Sequence, residues 1–197
     1  FLAILLGQLI YKATRALKIG GGSAAPGLYA LKVEPDLVTK LVGNIPKNVI
    51  ITGTNGKTTT ARMIAHFAKE ADLRIIKNAT GSNLERGVAS VLISHRGERD
   101  LGIWELDEFA FNSLVPKIKP DIIIFLNVSR DQLDRYGEVD SVVKKWAKTL
   151  QRLNKKTVVL VNGDDNNTTK LSEYFKGKVS RFGLEKYKIS GEGIEIK

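Results

Sequence analysis

Apolar residues along this chain follow two rhythms, short unbroken runs and stretches that repeat every three or four positions. Runs of that kind predict strands, and the three-to-four repeat predicts helices. Strands are expected at 49–52, 73–77, 101–105, 121–127, 157–161 and 179–182. Helices are expected at 58–71, 86–93, 109–115 and 167–175, the third ending near Pro116. A longer helix lies between the strands at 121–127 and 157–161. Its Val139, Val142, Val143, Trp146, Leu150 and Leu153 share one stripe, while Lys144, Lys145 and Lys148 face out. The run Ile122-Ile-Ile-Phe-Leu126 has no polar break, which suits a central parallel strand buried on both faces. Strand and helix in alternation predict an α/β fold of P-loop type, an open, mostly parallel sheet with helices on both faces.

A small helical and loop segment precedes this pattern. Leu2, Leu6, Leu9, Ala13 and Leu17 fall on one helical face, with Lys12, Arg15 and Lys18 turned elsewhere. That stripe predicts packing on this or another domain, and a surface helix against a bilayer or partner is the other reading. The apolar start is far shorter than the ~20 residues of a membrane span, and no basic region precedes it to make a signal peptide. Gly20-Gly-Gly-Ser-Ala-Ala-Pro-Gly27 breaks the helix, as a linker or as a loop that approaches a ligand. Residues 28–45 form a small element, with Pro35 near the start of a short helix that reaches Leu41. The expected division is 1–45 as the N-terminal segment, 46–184 as the central domain and 185–197 as the start of a further element. Phe1 stands where a methionine would, and Ile194-Glu-Ile-Lys197 reads like an opening strand, so sequence is expected to be missing at one or both ends.

Composition narrows the chemistry. With 43 % hydrophobic and 26 % charged residues, the chain has the make-up of a globular domain rather than a disordered one. The absence of cysteine excludes disulfides and cysteine-held metals within these residues. The net charge of +10 favours phosphorylated or carboxylated ligands. Nucleic acid is disfavoured, because the basic residues are dispersed and no aromatic-basic patch stands out.

The sharpest chemical signal is Gly53-Thr-Asn-Gly-Lys-Thr-Thr59, set between a predicted strand and a predicted helix. It falls short of the full Walker A pattern, which wants a glycine where the chain has Ile51. Gly53 and Gly56 let the backbone turn its N–H groups inward, with Thr54 and Asn55 in the turn between them. Lys57 should reach the terminal phosphates of a nucleotide, and the Thr58 hydroxyl is set like a magnesium ligand. Thr59 serves a phosphate or caps the helix.

Acids are expected where strands end, since ligands of such sheets sit beyond the carboxyl ends. Glu105 is the first candidate for Mg²⁺, with Asp107 as its substitute and Glu108 as a helix-start acid. The polar cluster from Asn127 to Gly137 reads as a site loop. There Asp131 and Asp134 serve a metal through water or brace Arg130 and Arg135. Asp164 and Asp165, in Asn162-Gly-Asp-Asp-Asn166, accept from ribose hydroxyls or form a turn. No serine elbow or Cys-His pair supports acyl-enzyme chemistry.

With these motifs the chain resembles the Mur ligase family, which includes folylpolyglutamate synthetase. The resemblance runs over nearly all of residues 10–184. Within the family it is similar to the ligase-like (MurT-like) subunits of lipid II isoglutaminyl synthase. That narrower likeness rests on Gly20 through Gly27, Gly81-Ser-Asn-Leu-Glu-Arg-Gly87 and Asn127 through Gly137. It implies a cytoplasmic ligase, at the inner face of the cell membrane, in which ATP phosphorylates a carboxylate that an amine then attacks. The implied substrate is the D-glutamate α-carboxylate of the lipid II stem peptide, with ammonia from a glutamine amidotransferase subunit (GatD-like). By the same resemblance Lys57 holds ATP phosphates, Thr58 and Glu105 serve Mg²⁺, Asn83 lies at the substrate-side edge and Asp164-Asp165 near the nucleoside. Gln132 stands where amino-acid-adding relatives carry a metal-binding histidine, and Trp146 where they carry a carbamylated lysine. A four-cysteine zinc ribbon, if present, lies beyond Lys197, as does the C-terminal domain. The alternatives are a Mur-type or folylpolyglutamate-type amino-acid ligase and a non-catalytic nucleotide-binding scaffold. A plain P-loop kinase or GTPase ranks last, given the shortened loop.

Overall fold

The computed structural model describes residues 2–17, 24–78, 83–95, 97–129 and 136–184, with residues 136–138 described for the backbone alone. Six strands form one sheet in the order β2-β3-β1-β4-β5-β6. They are β1 (Lys47–Thr52), β2 (Ile75–Lys77), β3 (Leu101–Leu106), β4 (Ile122–Phe125), β5 (Val158–Asn162) and β6 (Lys178–Phe182). Every pairing is parallel. The register sets Ile51 beside Glu105 and Thr52 beside both Leu106 and Phe125.

Alternation along the strands divides the core into two layers. Ile50, Trp104, Leu106, Ile123, Phe125, Val159 and Val161 face one way. They meet α5 (Glu85–Ser94), α6 (Phe111–Ile118) and α7 (Tyr136–Gln151). Phe111, Phe125 and Trp146 pack ring against ring there, with centroids 5.0–5.4 Å apart. Val49, Ile51, Ile103, Ile124 and Leu126 face the other way, against Ala61 and Ala65 of α4 (Lys57–Glu70). Helices thus cover both faces, as the sequence pattern requires. The helix expected at 167–175 is instead α8 (Asn166–Lys170) followed by a 3-10 turn, Leu171–Tyr174. Pro116 lies inside α6 rather than ending it, and Lys119 closes that helix in the left-handed region at φ 51°. One lost backbone bond is tolerated because Phe111, Leu114, Val115 and Ile118 are all buried.

The N-terminal segment differs more. It holds α1 (Leu2–Ala16), α2 (Ala25–Val33) and α3 (Leu37–Val42). Ala25, Pro26 and Gly27 belong to a helix, not to a break. Pro26 sits in the first turn, where its missing N–H costs nothing. Gly27 is there because α2 crosses α5 without clearance: a Cβ at Gly27 would lie 2.0 Å from the Arg86 carbonyl oxygen. The Gly27 N–H donates to Ser90 Oγ at 2.8 Å. α1 also turns a different face inward. Ala3 and Gly7 are buried, while Leu2, Leu9 and Leu17 stand out in solvent.

At the amino ends of β2 and β3, away from the predicted phosphate loop, Arg74 donates to both oxygens of Asp100 and to Glu98. Its hydrogen bonds hold the Asp100 carboxyl down to about 2 and push its own guanidinium higher still.

Candidate nucleotide site

The phosphate loop leaves β1 at Thr52 and returns as α4 at Lys57. Gly53 has φ +138°, and a Cβ there would lie 2.8 Å from the Asn127 carbonyl oxygen. A side chain is therefore excluded on two grounds, backbone conformation and space. Asn127, just beyond β4, clamps the loop. Its carbonyl accepts from the Thr54 N–H at 2.9 Å. Its side-chain oxygen accepts from the Asn55 N–H at 2.9 Å, and its amide donates to the Asn55 carbonyl at 3.1 Å. The Ser129 N–H donates to Thr54 Oγ1 at 3.1 Å. The bend is thus built from β4's far end as well as from its own glycines.

Gly56, at φ 87°, begins α4 with no side-chain cap, and the first turn holds no acid. The opening N–H groups of a helix have no intrahelical acceptor and carry the positive end of its dipole. Together with the loop they make an anion cradle. Lys57 folds its ammonium back onto the carbonyl oxygens of Gly53 and Thr54. Thr59 is exposed beside it on the first turn.

Glu105 comes to this cradle through strand alternation. It shares a face with Ile103, the face that α4 covers, so its side chain meets the helix start. Thr58 Oγ1 donates to Glu105 Oε2 at 2.7 Å. Glu105 is 2 % exposed, and its other oxygen, Oε1, is buried without a hydrogen-bond partner. A buried carboxylate oxygen left so is an open position for a cation or a bound donor. Hydroxyl and carboxylate oxygens are the donors a hard divalent ion takes, and Mg²⁺ keeps waters and ligand phosphates for its remaining positions. The pair therefore fits such an ion. Among the described residues no cluster of three or more His, Asp or Glu gathers as an all-protein metal site.

Asn78 follows β2 directly and holds Glu105 by its main chain. Its Oδ1 accepts from the Glu105 N–H at 2.8 Å, and its amide donates to the Glu105 carbonyl at 2.7 Å. Sequence reasoning passed over Asn78 and placed Asn127 only as the first residue of a polar site loop. Each is an amide-bearing residue one or two positions past an apolar run, the signal that would have found them.

The other candidates lie near or apart. Asn83 accepts on its carbonyl from the Asp107 N–H at 2.9 Å, which sets it beside the end of β3. Asp107 accepts from the Phe109 N–H at 2.9 Å. The Glu108 carbonyl takes the Trp146 indole N–H at 3.0 Å, and Trp146 is wholly buried. Asp165 caps α8 by accepting from the Thr168 N–H, and its second oxygen accepts from Val128 N–H. Asp164 accepts from the Leu184 N–H at 2.7 Å. Arg130, Asp131, Gln132, Asp134 and Arg135 lie outside the described residues.

Comparison with known proteins agrees with this architecture. The model of the Mur ligase middle domain matches residues 51–196. A Staphylococcus aureus lipid II isoglutaminyl synthase (glutamine-hydrolyzing) subunit MurT is 36 % identical over 170 residues, 86 % of this chain and 38 % of its own. A Clostridium acetobutylicum UDP-N-acetylmuramate–L-alanine ligase is 30 % identical over 177 residues, 86 % of this chain and 37 % of its own. The chain spans well under half the length of these relatives. Among solved structures, Thermotoga maritima MurF ligase in complex with ADP superposes with a TM-score of 0.66 over 78 % of this chain and 36 % of that one, at 19 % identity. That likeness is one of fold. The chain belongs to the Mur ligase family and carries its middle domain.

Proposed function

We propose that the chain is the nucleotide-binding part of an ATP-dependent carbon–nitrogen ligase of peptidoglycan synthesis, which activates a carboxylate by phosphoryl transfer. The observation that carries this reading is the contact of Thr58 with the half-paired Glu105 at the uncapped start of α4. Charge on a transferred phosphoryl group spreads over its oxygens, so preorganised donors aimed at them lower the barrier. Gly53, Gly56 and the first turn of α4, with Thr58 and Thr59, supply backbone N–H groups, while Thr54 and Asn55, whose own N–H groups go to Asn127, hold the shape of the loop. Lys57 exchanges its two loop carbonyls for an anionic acceptor when phosphate enters. A divalent cation, when bound, withdraws charge from phosphate oxygens, and Thr58 and Glu105 are the residues that would hold it. Asn83 is assigned to the substrate-side edge, and Asp164 and Asp165 to the nucleoside side.

The finer assignment is amidation of the D-glutamate α-carboxylate of lipid II to D-isoglutamine. Ammonia comes from a glutamine amidotransferase subunit of GatD type, in the cytoplasm at the inner face of the membrane. The higher identity to the MurT subunit supports it, as do Gln132 and Trp146 at positions where amino-acid-adding relatives differ. The likeness to the L-alanine ligase supports a second reading, an amino-acid ligase.

The test takes a chain extended to its relatives' length, with the amidotransferase subunit, ATP, Mg²⁺ and lipid II. Ammonia-dependent ADP release and a carboxamide product are expected, both abolished by Lys57→Ala. Release that depends on an amino acid instead would favour the second reading. ATP binding with no carboxylate-dependent ADP release would leave a scaffold.

A further inference from the structure

α1 and α2 pack on α5 by their smallest residues. α1 buries Ala3 and Gly7, and α2 buries Pro26, Gly27 and Ala30. A Cβ at Gly7 would lie 2.9 Å from Ile93 Cδ1 and 3.3 Å from the Pro26 carbonyl oxygen, so the helices meet closely. Ile4 and Leu31 pack at the edge of this contact, and several other large side chains are left outside. Leu2 and Leu9 are each 69 % exposed and Leu5 44 %, joined on α2 by Leu28, Tyr29 and Val33 at 40–47 %. Along α1, Leu2, Leu5, Leu9, Lys12 and Ala16 recur at three- and four-residue steps, so the leucine ridge runs into a cation on one helical face.

Charge tells what this face meets. Residues 1–33 contain Lys12, Arg15, Lys18 and Lys32 and no Asp or Glu. Arg15 lies over the Tyr11 ring at 5.6 Å and Lys32 over the Tyr29 ring at 5.4 Å. The first acid, Glu34, is paired to Lys40 and lies beyond α2. A second copy would set cations against cations. The end of the described chain leaves from β6, at the opposite edge of the sheet from β2, which α5 touches. An apolar ridge bordered by cations and aromatic rings matches an acyl layer beneath anionic headgroups.

We propose that the exposed face of α1 and α2 is a peripheral binding surface for bilayers containing acidic phospholipid, with α1 lying in the interface plane. At 15 residues α1 is about 22 Å long, shorter than the roughly 30 Å hydrocarbon core, so it lies on the membrane rather than across it. The inference goes beyond the ligase reading and does not need it.

Co-sedimentation with extruded vesicles tests it, using the 197-residue chain. One set is phosphatidylcholine alone and the other also carries phosphatidylglycerol, an anionic lipid that gives the surface a negative potential. Binding is expected to the acidic vesicles and to weaken in high salt. Lys12→Glu should weaken it about thirtyfold, from two charge units near the surface at about 1 kcal/mol each. Leu5→Glu with Leu9→Glu should abolish it. Both sites are exposed, so circular dichroism and ATP affinity should stay unchanged. The proposal fails if acidic vesicles leave the chain in the supernatant, or if the leucine variants bind as well as the parent. It fails equally if sedimentation shows a dimer that those variants dissolve, since the face is then a protein interface.

Discussion

Replacing Glu105 by glutamine separates the cost of a metal-ready carboxylate from its use. The side chain is 2 % exposed, and only one of its oxygens is hydrogen-bonded, to Thr58 at 2.7 Å. A buried polar atom without a partner costs about 1–3 kcal/mol, and more when charged. Glutamine keeps the shape and can still accept from Thr58, while removing the charge. The metal-free chain should therefore gain about 1 kcal/mol, which is roughly a 2–4 °C rise in Tm for a domain of this size. Binding should change in the opposite sense. With Mg²⁺ present, the lost anionic ligand should weaken ATP about tenfold or more, which is about 1.4 kcal/mol. With EDTA, Glu105→Gln and the parent should bind ATP alike. Thermal melts in EDTA and calorimetric titrations with and without Mg²⁺ measure both halves. A clear fall in Tm would refute the view that Glu105 is held at a stability cost. An equal affinity loss with and without the metal would refute its role as a cation ligand.

Asn78→Ala removes both hydrogen bonds that fix the Glu105 backbone and should destabilise by about 2–4 kcal/mol in urea unfolding. Gly27→Ala drives a methyl against the Arg86 carbonyl and Ser90 and should cost about 2–3 kcal/mol. Its melt should show α1 and α2 loosening before the sheet, read by hydrogen exchange. The Asp100 carboxyl, depressed from 3.8 to about 2 by Arg74, stabilises the fold above its unfolded value. That contribution is lost as pH falls through about 2, and a carboxyl NMR titration should shift back toward 3.8 in Arg74→Ala. A midpoint unmoved by that change would show that Arg74 is not the cause.

Much of the architecture is local in origin and so is legible without coordinates. A short, β-branched, unbroken apolar run such as Ile122–Phe125 favours a strand covered on both sides. Gly53 and Gly56 tolerate positive φ where other residues resist it, which marks the loop before any contact is known. The pairing of Thr58 with Glu105 was also readable, because a hydroxyl at a helix start and an acid at the end of a strand meet at one edge of a parallel sheet.

What tertiary structure alone decided concerns surfaces whose partner is remote in the chain. The leucine stripe of α1 looks like a core face, yet α1 buries Ala3 and Gly7, with Ile4 packed at their edge, because the helices approach closely at Gly7. Gly27 reads as a breaker and is in fact the clearance for that approach. Asn78 looks like an ordinary residue after a strand and Asn127 like one member of a polar loop, and the task of each appears only when β3 and the phosphate loop lie beside them. Periodicity tells which positions of a segment share a face, but whether that face turns inward depends on the size of what it must fit against.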